Sequence, residues 1–185
     1  MFTAKFYRKG CLQFIKDCSG CALKNCFVCA MKLVRGAYME KKGGRAAELY
    51  YNSPVHKTKQ DMDNDYSAAL EFCINPVNGI HIIIGSHNEY SNLYATQLME
   101  KLELSTNDQR IHFSQLFGMS DNITFNQAKA GFSVSKYLPF GPVKDVIPYL
   151  LRRAEENSSV DNQSGRELSL IKKELKRRSA SFPKL

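Results

Sequence analysis

The sequence predicts an α/β domain built around a parallel β-sheet. Two observations carry that prediction. Short β-branched or apolar runs alternate with stretches of helical period, and the turns between them are brief. Each apolar run is followed by polar and aromatic residues, as at the carboxyl ends of parallel strands, where α/β folds keep their function. Four strands are expected, at about 31–37, 80–85, 111–117 and 133–138.

The elements follow in order. Residues 8–24 read as a helix, with Leu12 and Ile15 on its apolar face beside Cys11 and Cys18. The run FVCAMKLVRGAYM then forms a strand that ends at Gly36, and residues 41–50 a short helix. Pro54 marks residues 52–59 as loop. Residues 63–72 are helical, with Tyr66, Ala69 and Leu70 as the stripe. Residues 80–85 are short, β-branched and bounded by Gly79 and Gly85, which reads as a buried strand. A helix at 91–101, a strand at 111–117, a helix at 125–130 closed by Gly131, and a strand at 133–138 come next. Residues 142–157 carry Val143, Val146, Ile147, Leu150, Leu151 and Ala154 at helical spacing. Pro148 there either kinks the helix or begins a new one. A basic helix at 166–178 ends the chain.

Composition narrows the function classes. The 185 residues are 43% apolar, which suits one folded domain and excludes a disordered chain. No apolar run approaches the ~18 residues of a membrane helix. The start, MFTAKFYRKG, has no apolar core for a secretory leader, so a reducing compartment and six free thiols are expected. The net charge is +8, with the basic residues crowded at both ends and an acidic middle. Two basic ends read as solvated helix faces, and no nucleic-acid partner is expected. Cys18, Cys21, Cys26 and Cys29 form two CxxC pairs, but the gap between the pairs is too short for the usual zinc arrangement. They read as small apolar fillers, with no metal expected. No GxxxxGK[ST] or GxGxxG phosphate loop is present.

Two constellations suggest a ligand. Arg152 and Arg153 are neighbours late in their helix, where two guanidinium forks could grip one small carboxylate. Glu156, at i+3 and i+4, could hold a fork in place. A surface ion-pair cluster is the competing reading. His87, at a strand end beside Asn88, is either ligand-facing or structural.

Five motifs in order carry a resemblance to one family: KLVRGAY at 32–38, SHN at 86–88, QLFGM at 115–119, KYLPFGP at 136–142 and PYLLRRAEEN at 148–157. The chain resembles the C-terminal half of the proline dehydrogenases over about residues 4–178. The resemblance implies a (βα)8 TIM-type barrel of which only the C-terminal half is present: four βα units with parallel strands over residues 1–160, then a basic C-terminal helix and tail over 161–185.

It further implies an FAD-dependent oxidation of L-proline to Δ1-pyrroline-5-carboxylate, with electrons passed to quinone. Arg152 and Arg153 match the pair that binds the proline carboxylate, and Glu156 matches the acid that orients them. Tyr137 and Tyr38 match tyrosines that wall the substrate pocket. Arg35, Gly36, Ala37, Ser86, His87 and Asn88 fall at the flavin-contacting positions. Lys32 takes the place of a strand-borne basic residue near the flavin and is the candidate catalytic residue.

The sequence departs from the family pattern in places. Lys5 stands where relatives have a flavin-contacting Gln, and Met62-Asp63 replaces the usual Thr-Asp. The family's substrate-binding Lys and Asp on earlier strands have no counterpart here. The alternative is therefore a truncated, non-catalytic half-barrel that needs a missing N-terminal half or self-association. A cytoplasmic location with peripheral contact at the inner membrane is expected, with a mitochondrial one as the alternative.

Overall fold

A computed structural model describes residues 2–6, 10–35, 39–53, 55–158 and 163–181. The chain forms two compact units, Met1–Tyr137 and Leu138–Leu185.

The first unit is a five-stranded parallel sheet with helices in its crossovers. Its strands are β1 (Phe2–Phe6), β2 (Cys29–Arg35), β3 (Ile80–Gly85), β4 (Ile111–Leu116) and β5 (Val134–Tyr137). They lie in the order β1-β2-β3-β4-β5, every neighbouring pair parallel. A strand order that never reverses is that of a (βα)8 barrel; a doubly wound sheet has a switch point. The four expected strands are all present.

The structure adds β1 to the expected four βα units. Its residues alternate at period 2, and its register sets Phe2, Ala4 and Phe6 opposite Met31, Leu33 and Arg35. Five residues at one end of a chain show too little periodicity to be recognised alone. Pairing with β2 makes them a strand.

The crossovers hold α1 (Cys11–Lys24), α2 (Met39–Glu48), α3 (Lys59–Ile74), α4 (Glu89–Lys101) and α5 (Asp121–Lys129), with a 3-10 turn at Pro76–Asn78. α1 begins after Gly10, whose φ of 81° breaks any earlier helix. α3 starts four residues before the expected 63 because Thr58 caps it, its side chain accepting from Asp61 N. Asn88 caps α4 in the same way, accepting from Ser91 N at 2.9 Å.

Alternation along the strands separates two faces. Met31, Leu33, Ile82, Ile84, Ile111 and Phe113 are buried with Ile15, Tyr66, Leu70, Ala95 and Met99 of the helices. This is the core. Cys29 and Cys73 belong to it, and burial pushes the Cys73 thiol up to about 12. Those two thiols act as apolar fillers, whereas Cys21 and Cys26 are exposed.

The second unit holds α6 (Val143–Ser158) and α7 (Gln163–Ser181). α6 runs through Pro148 without a break, so the helix does not begin at that proline.

Candidate functional site at the carboxyl ends of the strands

The inner face of the sheet carries Lys32, His112, Ser114, Ser135 and Tyr137. Register aligns Lys32 with Ile83 and His112, Gly85 with Ser114 and Ser135, and Leu116 with Tyr137. Lys32 is partly buried and directs its Nζ over the Tyr137 ring, 5.2 Å from the centroid. β2 and β5 lie three strand spacings apart, about 14 Å along the sheet. The contact therefore spans a concave face.

Gly85 makes that reach possible. A Cβ there would lie 3.0 Å from Lys32 Cε and 3.2 Å from the Leu33 carbonyl oxygen. Desolvation holds the Lys32 amine below its ordinary range. The attraction of a cation to a ring face partly offsets that cost.

Deeper on the same face, His112 Nδ1 lies 2.7 Å from Ser133 Oγ and Nε2 lies 2.8 Å from Ser135 Oγ. Both ring nitrogens have a hydroxyl partner. Burial keeps this imidazole below its usual pKa.

The loop after β3 forms one side of the mouth. Ser86 is buried, and its Oγ accepts from Asn88 N at 3.1 Å. Asn92 donates from below to the carbonyls of Ser86 (3.0 Å) and Asn88 (2.8 Å). Asn92 Oδ1 in turn accepts from Gln127 Nε2 at 3.3 Å, and Thr124 Oγ1 donates to Gln115 Oε1 at 2.9 Å. The side chains of Ser86 and Asn88 are thus committed to shaping the loop. Between them His87 sets Nδ1 3.0 Å from Ser120 Oγ in the loop after β4.

That second loop is tied down by Lys136. Its Nζ donates to the Met119 carbonyl and lies 2.7 Å from Asp121 Oδ1. Neither Ser120 nor Asn92 stands out in the sequence, and Lys136 is visible only as the first residue of the KYLPFGP motif. A serine before a helix start predicts a cap, and a lysine in a strand predicts a solvated side chain.

Several expected site residues are located by backbone alone. Arg35 ends β2, and Arg152, Arg153 and Glu156 fall on α6 in the second unit. Gly36, Ala37 and Tyr38 lie outside the described residues. Register places Lys5 opposite Val34.

A parallel sheet whose strand order never reverses defines part of a TIM-type barrel. Comparison with known proteins gives its family. The model for "Proline dehydrogenase" matches residues 1–166, and the chain belongs to that family.

Proline dehydrogenase 1, mitochondrial, of Caenorhabditis elegans is 38% identical over 184 residues, covering 97% of this chain and 30% of that protein. The Homo sapiens protein of the same name is 41% identical over 150 residues, 80% of this chain and 25% of its own length. The carbapenem antibiotics biosynthesis protein CarD of Pectobacterium carotovorum subsp. carotovorum is 37% identical over 178 residues, 95% of this chain and 44% of that one. Among solved structures, proline utilization A of Bdellovibrio bacteriovorus, inactivated by N-propargylglycine, superposes with a TM-score of 0.77 at 24% identity. That match covers 84% of this chain and 16% of the other, and it shows the fold. The chain spans about a third or less of the length of the mitochondrial relatives described here.

Proposed function

We propose that this chain supplies the flavin- and proline-facing part of a proline dehydrogenase that oxidises L-proline to Δ1-pyrroline-5-carboxylate and passes the electrons to quinone. Family membership supports the reading. The observation that carries it is the Gly85 gap, which lets a strand-borne lysine cross to a tyrosine on the concave face.

The residues present fit FAD. Lys32 offers a partly desolvated cation, suited to a delocalised ring system that gains negative charge on reduction. His87 stands on a loop pinned by buried hydrogen bonds. In this reading Arg35, Gly36, Ala37 and the Ser86-His87-Asn88 loop hold the cofactor, and Lys32 is the catalytic residue beside it. When bound, FAD supplies the acceptor for the hydride that leaves the ring carbon beside the proline nitrogen.

The chain's own residues do the rest. Arg152 and Arg153 neutralise the proline carboxylate with bidentate hydrogen bonds, which fixes the ring carbon that faces the acceptor. Glu156, one turn on, orients the guanidinium forks. Tyr137 and Tyr38 wall the pocket, exclude water and restrict the substrate to a small ring.

A second reading, a non-catalytic half that needs a partner, is favoured by one observation. Among the described residues β1 and β5 each pair on one side only. Open parallel edges invite further strands, from an N-terminal half or from a second copy. The mitochondrial names of the relatives favour a mitochondrial site over a cytoplasmic one. No described helix is long and apolar enough to cross a membrane. The basic terminal helix would serve any peripheral contact.

The test is the visible spectrum and proline-dependent dye reduction of the purified chain, alone and with a supplied N-terminal half of a relative. A flavin band with turnover in the chain alone supports the first reading. Turnover only in the mixture supports the second. A folded, colourless and inactive protein in both cases removes the function.

A further inference from the structure

Ser120 occupies the N-cap position of α5, yet its hydroxyl makes no cap. A serine there ordinarily satisfies one of the orphan N–H groups of the first turn. The residue is only 3% exposed. Its backbone is left-handed, with φ 53°, a conformation that residues other than glycine seldom adopt. A residue that carries backbone strain and gives up its cap has its hydroxyl committed elsewhere. That hydroxyl lies 3.0 Å from His87 Nδ1, across the mouth in the other loop.

Both ends of this contact stand on braced backbone. The Ser120 carbonyl accepts from Ile123 N and Thr124 N at 3.1 Å and from Thr124 Oγ1 at 3.2 Å. Lys136 grips the residues on either side, the Met119 carbonyl and the Asp121 carboxylate. On the other loop, Asn92 holds the carbonyls that flank His87, those of Ser86 and Asn88. The strained turn is over-determined by its surroundings, as strain at a functional position requires.

We infer that Ser120 is a positioning residue for His87: its hydroxyl, held on Nδ1, fixes the direction of the imidazole before any cofactor arrives. A neutral imidazole has one proton for two nitrogens. The Ser120 hydroxyl can donate to a bare Nδ1 or accept from a protonated one, so it holds the ring's direction in either tautomer. A ring set in advance loses no rotational freedom on binding, and that saving appears as affinity. The inference rests on the reading of His87 as a flavin contact.

The test uses the 185-residue chain labelled with 15N. His87 ring shifts, assigned with His87→Gln, are recorded without flavin for the wild type, Ser120→Ala and Ser120→Gly. FAD affinity is measured by fluorescence titration, with the N-terminal half supplied, and melting temperature is recorded in parallel.

Both variants are expected to show a shifted His87 Nδ1 resonance relative to the wild type, because the hydroxyl partner of that nitrogen is gone. Both variants bind FAD roughly three- to tenfold more weakly, the net effect of one hydrogen bond. Ser120→Gly melts no lower than the wild type, because glycine relaxes the left-handed backbone. A purely structural serine would change melting and leave the ring shifts alone. Unchanged ring shifts in the variants overturn the inference, and so do changed shifts with undiminished FAD affinity. Failure of the wild type to bind FAD removes the flavin reading and the positioning role that rests on it, while the ring shifts still decide the hydrogen bond itself.

Discussion

The two faces of one sheet do different work. On the helix-facing side Leu33, Ile84 and Phe113 are completely buried among helix residues. On the inner side Lys32 and His112 alternate with Leu33 and Phe113 along β2 and β4, Ser135 and Tyr137 continue that face on β5, and all four stay partly open. A side chain one position along a strand passes from the buried core to the partly open face on which the proposed site lies. Stability and chemistry are thus separated by a single residue of register.

That contrast can be broken most strongly from the core. Phe113→Ala empties a fully buried site that makes an edge contact with Phe132, ring centroids 5.7 Å apart. It should cost about 3–5 kcal/mol in chemical denaturation. A loss below about 1 kcal/mol would mean that this face is not the core.

Gly85→Ala tests the boundary between the faces. The new Cβ meets the flexible end of Lys32 and a backbone oxygen, so about 1–3 kcal/mol is expected. Flavin affinity should fall with it, because the lysine is displaced from the Tyr137 ring. Unchanged affinity would separate the glycine from the site.

Lys32→Met should move stability by less than about 1 kcal/mol at pH 7 while weakening flavin binding more than Gly85→Ala does. The sign of its pH dependence follows from desolvation. The folded pKa is lowered, so the unfolded chain binds the proton more tightly. Stability attributable to Lys32 rises with pH through the window between the lowered value and the ordinary 10.5. The methionine variant should lack that rise in denaturation curves recorded across alkaline pH.

The smallest effect belongs to His112. Its pKa is also lowered by desolvation. Its contribution is complete above 6.5 and is lost as pH falls through the lowered value. His112→Gln should flatten the difference in melting temperature between pH 7 and pH 5 without lowering the value at pH 7 by more than a few degrees. An unchanged slope would place the acid sensitivity elsewhere.

Much of this architecture is legible along the chain. Residues 80–85 are β-branched and bounded by glycines, and they form β3 with those limits. The stripe of Tyr66, Ala69 and Leu70 is buried as its spacing requires. β1 was not legible, because a five-residue run with a lysine becomes a strand only when a neighbour satisfies its backbone. In the site, the motif residues Lys32, His87 and Tyr137 stand out, but their supports do not. Asn92 reads as an ordinary helix residue until its amide is seen spanning two carbonyls. The pairing of Ser120 with His87 joins residues 33 apart, with no shared period to announce it.

The sequence by itself determines the order of the elements after β1, the buried stripes of α3 and β3, and the family. These follow from local periodicity and from short motifs, which need no knowledge of what lies opposite. The tertiary structure alone decided that Gly85 clears a path for Lys32, that Lys136 ties down a loop, and that a serine gives up its cap to reach a histidine. Each of these depends on a distance between segments remote in the chain, and such distances exist only once the sheet has set its register.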